Sequence, residues 1–315
     1  MIIAIALVCF AVGFLAAIVI AGNPTRSRKD VVGLSDWLQV VRSDVSSNIN
    51  SNCWKQQLST RVIPVANEED AGLLSKEQVE TSYSKDSWQG LAYQDFKTAI
   101  MARESGLKTF PCIYATMGYR ADEHRYVFLK SDNPAEPQNI RLIAPALRAY
   151  LSMSQSLGPN TSLVIVCAPS EKEKTVEEYN NSFWDMLRGL RISDPQPWPK
   201  DVPESVESEK WTFCYNGEPV FPVMLTPAHM QRWSRHMSVP IIALQPKWVL
   251  DRLLSTPEKR EAATGKVRKL LKEYDQIDIS PDLTSYGQPG TSEARQLCLL
   301  DENESASCPY SNFDR

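Results

Sequence analysis

A chain of 315 residues that is 43% hydrophobic and 23% charged, with 21 Pro and 13 Gly, has the make-up of a folded protein and excludes collagen-like, coiled-coil and wholly disordered readings. Its 34 basic and 38 acidic residues leave a formal charge of −4, so it lacks the cationic field that phosphate backbones attract and nucleic acid is not an expected partner. The length can bury a sizeable core without disulfide staples.

From Met1 to Ala21 every residue is apolar except Gly13, and none is charged. At about 1.5 Å per residue such a helix spans the roughly 30 Å hydrocarbon core of a bilayer. No Lys or Arg precedes the segment, while Arg26, Arg28 and Lys29 follow it. That pattern favours a retained anchor over a cleaved signal and places everything after it on the cytosolic side. The expected organisation is a transmembrane anchor over 1–22, a polar stalk over 23–87 with one or two short helices, and a folded domain over 88–315. Outside the anchor six scattered cysteines with no CxxC pair leave the topology open, since they could form three disulfides in a lumenal domain or stay free thiols in a cytosolic one. The sequons at Asn160, Asn180 and Asn303 matter only if the topology is reversed.

The segment GLAYQDFKTAIMARE spaces Leu91, Phe96, Ile100 and Met101 as a helix would. FPCIYATMGY and HRYVFLK are strand-like, IRLIAPALRAYLSMSQSL is helical, and SLVIVCAP is a buried strand ended by Pro169. EKEKTVEEYNNSFWDMLRGLRI is an amphipathic helix with Val176, Tyr179, Phe183, Met186, Leu187 and Leu190 on one face. Prolines keep DPQPWPKDVPES out of helix and central strand, leaving an ordered surface crossing or a lid. WTFCYNGEPVFPVML is a hairpin reversing at Asn216-Gly217. Thr226 and Pro227 open a predicted helix through TPAHMQRWSRHM, as N-cap and first helical residue. VPIIAL is another buried strand, and the long segment after it is helical with a break near Thr256-Pro257. Strands and helices mix without a βαβ rhythm, so the expected class is α+β, one mixed domain with a mainly antiparallel sheet.

The histidines are His124, His229 and His236. On an ideal helix His229, Arg232 and His236 share a face, with Met230, Trp233 and Met237 on another. An iron porphyrin would want that combination of axial nitrogen, positive charge and apolar wall, although spacing alone favours a surface-facing His/Arg helix. Motifs for dinucleotides, P-loops, nucleophile elbows and zinc proteases are absent. Cys112 and Cys214 are candidate thiolates, but lone cysteines in apolar surroundings are more often inert. Glu218 is a candidate base whose commoner role is capping or pairing.

Taken in order, FPCIYA, FWDMLRGL, DPQPWP, WTFCYNGEP, PAHMQRWSR, LQPKWVLD, KEYD, SYGQP, LDEN and the final CP resemble the YqcI/YcgG family from about Phe110 to Pro309. The anchor and stalk lie outside the resemblance. It implies a haem-dependent oxygenase that hydroxylates a guanidino nitrogen of arginine or a related small molecule, in secondary metabolism. His229 matches the family's His and becomes the expected iron ligand, with Arg232 and Arg235 for the propionates or for orienting substrate. Cys112 and Cys214 also match, which keeps a thiolate ligand open. Glu218 is the expected carboxylate for a cationic substrate. With no reductase motif, electrons would come from an external donor or reductase. The chain departs from the family at Glu293-Ala294, where an acidic residue is usually followed by Trp, and at QPK in place of QPR. A haem-binding sensor without turnover, and a haem-free scaffold, are the competing expectations.

Overall fold

The computed structural model describes residues 72–102 and 108–310, all within one compact unit that spans Ser46–Arg315. The expected anchor and most of the expected stalk lie outside the described residues. Among the described residues no helix is long and apolar enough to cross a membrane.

The chain opens on α1 (Lys76–Ser82), started by a capping box in which Ser75 and Gln78 exchange side-chain and backbone bonds. Leu74 bridges Tyr126, and Leu73 and Val79 are buried, so this segment packs as part of the described fold. Then follow α2 (Trp88–Ile100), α3 (Ile113–Arg120), β1 (Arg125–Phe128) and α4 (Pro137–Leu157). β2 (Leu163–Val166), α5 (Val176–Ser193), β3 (Phe213–Tyr215) and β4 (Glu218–Leu225) come next. β5 (Ile241–Pro246), α6 (Lys247–Leu253), α7 (Pro257–Tyr274) and the short α8 (Ala294–Leu297) complete the order.

The sheet runs β1-β2-β5-β4-β3. Only β1 and β2 are parallel, as the α4 crossover requires, and the other neighbours are antiparallel. The expected α+β class with a mainly antiparallel sheet is therefore what the fold shows. β2 is buried along its whole length, which is why it reads as an uninterrupted apolar run. α5 turns its predicted apolar face inward: Tyr179, Phe183, Met186, Leu187 and Leu190 are all buried. Asn216 and Gly217 both adopt positive φ, 54° and 77°, the geometry of a type I′ hairpin turn.

Two expectations are corrected. FPCIYATMGY is not a strand: Pro111 and Cys112 lead into α3, and only Gly118 and Tyr119 of that helix are buried. A β-carbon on Gly118 would stand 2.2 Å from the Asn160 carbonyl oxygen and 2.6 Å from the His124 ring, so the helix sits where only glycine fits. TPAHMQRWSRHM is not a helix either. Thr226 does accept the Ala228 N–H, but the chain then bends, and its only helical turn is a 3₁₀ turn at Trp233–Arg235.

Candidate functional site

The reason for that bend is Asp301. Its carboxylate accepts the backbone N–H groups of Met230 at 2.8 Å, Gln231 at 3.0 Å and Arg232 at 2.9 Å. Three successive amides aimed at one anion form a nest, and the interior of an α-helix cannot offer them, because each N–H there is committed to the carbonyl four residues back. The loop is also stitched to the segment after α7: Asp275 accepts the Ser234 N–H at 2.7 Å and its hydroxyl at 2.9 Å, and Gln276 donates to the Gln231 carbonyl.

His229 sits inside this knot, fully buried. Its Nε2–H donates to the Leu299 carbonyl at 2.8 Å, which leaves Nδ1 to accept from the Thr226 hydroxyl at 2.8 Å. Burial lowers its pKa to about 4, against the opposing pull of the Leu299 carbonyl, so the ring is neutral at physiological pH. Arg232, 1% exposed, donates from Nε to the Leu300 carbonyl and from Nη2 to Asn303 Oδ1 at 2.8 Å, with longer bonds to the carbonyls of Asp278 and Glu302. His236 donates from Nδ1 to the His229 carbonyl at 2.7 Å. The matched His and Arg thus fasten the loop to Leu299–Asn303, and the shared helical face expected for His229, Arg232 and His236 does not exist. His124 is likewise buried, bonded through Nε2 to the Ala115 carbonyl and lowered by burial to about 4.

Arg235 behaves differently. Its Nε is buried without a hydrogen-bond partner, as are Trp233 Nε1 and Ser238 Oγ nearby in the chain. Buried donors left bare are costly, although the Asp275 carboxylate acts on the Arg235 guanidinium electrostatically. Arg235 acts electrostatically on Cys112, which caps α3 and is exposed, in contrast to buried Cys167, Cys214 and Cys298. Although the residue reaches the surface, burial of its thiol raises the Cys112 pKa, and the α3 backbone at Ala115 and the Arg235 guanidinium offset this only in part. Cys214 has no such counterweight of note; burial drives it up to about 12.

The structure does not bring all the expected residues together. β4 separates them: Glu218 begins the strand and Leu225, one residue before Thr226, ends it. Seven steps of about 3.4 Å put those ends roughly 24 Å apart. Cys214 pairs with Pro219 at the Glu218 end. There Glu218 is exposed and lines a hollow of about 280 Å³ with Ser152, Gln155 and Trp248. A small molecule at Glu218 cannot also touch His229 or the 3₁₀ turn.

An iron porphyrin held by His229 does not fit this arrangement, because both ring nitrogens are engaged and the side chain is sealed. Around Cys112 and Arg235 the residue types suit such a group better: an exposed cysteine at the head of α3 and a guanidinium that acts on it electrostatically, with its Nε unbonded. No cluster of three or more potential metal-ligating side chains occurs among the described residues. Asp301 and Asp275 are the functional-looking carboxylates that sequence reasoning passed over, while Glu293 figures there only as a departure from the family pattern. The first two stand in the LDEN and KEYD motifs, whose acidic residues had no partner assigned.

A profile of the YqcI/YcgG family matches residues 96–311. The uncharacterised protein YqcI of Bacillus subtilis is 34% identical over 205 residues, covering 64% of this chain and 80% of its own. YcgG of the same organism is 33% identical over 230 residues, 71% of this chain and 88% of its own. DcsA of Streptomyces lavendulae, provisionally named an N(omega)-hydroxy-L-arginine synthase, is 28% identical over 250 residues, 77% of this chain and 90% of its own. No solved structure matches. The chain belongs to the YqcI/YcgG family.

Proposed function

We propose that this protein hydroxylates a nitrogen of a guanidino or amine small molecule, using haem at the Cys112–Arg235 face, with the domain tethered to a membrane by residues 1–22. The reaction class rests on the likeness to DcsA, which covers most of both chains. The observation that supports the placement is an exposed cysteine at the α3 N-terminus within electrostatic reach of a guanidinium whose Nε lacks a hydrogen-bond partner. A cysteine-held haem supplies oxygen activation when bound. Cys112 would hold the iron, and Arg235, with Trp233 Nε1 beside it in sequence, would answer the acidic groups. His229 and Arg232 hold the loop that carries Arg235 and touch neither cofactor nor substrate. Electrons come from an external donor or reductase, which a cytosol-facing anchor would place at the same membrane.

The test is product analysis. Full-length protein, supplied with haem, a reductant and oxygen, is expected to add one oxygen atom to L-arginine or to a member of a panel of guanidino compounds and amines. A haem-loaded, folded protein that oxidises none of them would leave the sensor reading in its place.

A further inference from the structure

Glu293 is a buried carboxyl with no ion pair among the described residues. Glu293 immediately precedes α8 and is 6% exposed. Its Oε1 accepts the Thr212 hydroxyl at 2.6 Å, and no described residue bonds Oε2 or forms an ion pair with the side chain. The ammonium that acts on it, Lys247, is committed elsewhere: it bonds Asp251 and lies 4.5 Å from the centre of the Tyr286 ring. Asp201 and Asp251 both act on Tyr286, as Glu293 does, so acids outnumber the one lysine around that ring. Tyr286 is 44% exposed and tied down by its hydroxyl to the Lys210 carbonyl, which opens this corner to solvent on one side. Burial raises the Glu293 carboxyl to about 7, as expected for an acid held apart from compensating charge. Such an acid, within electrostatic reach of an aromatic ring that already carries one ammonium, is suited to receive a cation.

We propose that Glu293, with Thr212, Tyr286 and Asp251, forms a binding site for a guanidinium or ammonium group, in which Lys247 occupies part of the cradle. A guanidinium presents a planar fork of donors to Oε2 and to the remaining lone pair of Oε1, an arrangement that an ammonium reproduces only in part. The inference rests on the proposed guanidino substrate for its chemical class, but the site binds its ligand whether or not any oxidation follows.

Calorimetry on the full chain at pH 8, where Glu293 is ionised, tests it with methylguanidinium, L-arginine and neutral methylurea. The two cations are expected to bind and methylurea is not. Glu293→Gln keeps the Thr212 bond and the shape, and is expected to weaken the cations at least tenfold. Lys247→Ala removes the internal competitor and is expected to tighten them severalfold, with melting curves confirming that both variants fold. Equal binding by wild type and Glu293→Gln, or no cation binding by wild type at millimolar concentration, would overturn the site. The outcomes separate this site from the proposed reaction. Glu293-dependent arginine binding without a hydroxylated product removes the reaction and keeps the site; a product formed equally well by Glu293→Gln does the reverse.

Discussion

Both ring nitrogens of His229 are engaged, one as donor and one as acceptor, and the side chain has no exposure at the surface. His229→Ala would leave the Leu299 carbonyl and the Thr226 hydroxyl without a partner and open a cavity, at a cost of about 2–4 kcal/mol. His229→Gln keeps a donor near the Nε2 position and should recover part of that loss; denaturant melts of the variants measure both. The ring also gives stability a pH dependence. Its folded pKa of about 4 lies below the ordinary value of 6.5, so between those limits the unfolded chain binds a proton that the folded one does not. His229 therefore contributes fully above pH 6.5 and progressively less down to pH 4, by a total on the order of 3 kcal/mol. His124 acts in the same sense and Glu293, raised to about 7, in the opposite one. The difference in pH profile between wild type and His229→Gln isolates the one histidine, and an unchanged slope would show that the ring is not held neutral. Sequence could single out His229 but not assign it, because a ligand and a latch require the same residue, and only its two partners tell them apart.

The loop from Thr226 to His236 has the start signals and spacing of a helix, and it is not one. Local propensity lost to a carboxylate 69 or more residues away, which takes the amides of Met230, Gln231 and Arg232 at once. Asp301→Ala should therefore free the segment after α8 as well as the loop, costing about 2–4 kcal/mol and raising hydrogen exchange at residues 229–232 together with 299–303. Exchange rising in only one of the two would show that they are not a unit. α3 is the second lesson: β-branched and aromatic residues around Cys112 imitate a strand, while the deciding feature is the close approach of Gly118 to the Asn160 carbonyl, which no local pattern reveals. Gly118→Ala is expected to destabilise by about 1–3 kcal/mol and to perturb Cys112, six residues away at the head of the same helix. The elements that were legible are those whose partner is the core itself. α5 shows its buried stripe in the sequence, β2 its unbroken apolar run, and β3–β4 its Asn-Gly turn.

At the scale of the molecule, the sheet sorts the expected site residues to its two ends. Glu218 and Cys214 lie at one end of β4, and the loop with His229, Arg232 and Arg235 follows the other. A list of candidate residues carries no such distance, which is why one site was expected where the fold has two regions. The fold also bears on how the proposed topology is tested. Asn160 and Asn180 are 5% and 7% exposed, and Asn180 bonds the Ser307 carbonyl, so neither sequon would report a lumenal location reliably in the folded protein. Asn303 is exposed but holds Arg232 through its side chain. Protease protection of the intact chain in sealed microsomes is the sounder measurement. A cytosolic domain is expected to be digested without detergent, and protection would reverse the assignment.

The proposed reactive face lies at Cys112 and Arg235, while His229 fastens the loop that carries Arg235. Absorption spectra of the full chain reconstituted with haem, ferric and then ferrous with carbon monoxide, test it in wild type, Cys112→Ser and His229→Gln. The expected result is a thiolate-type spectrum that survives His229→Gln and is lost in Cys112→Ser. A spectrum of the imidazole type that survives Cys112→Ser and disappears in a folded His229→Gln protein would contradict it.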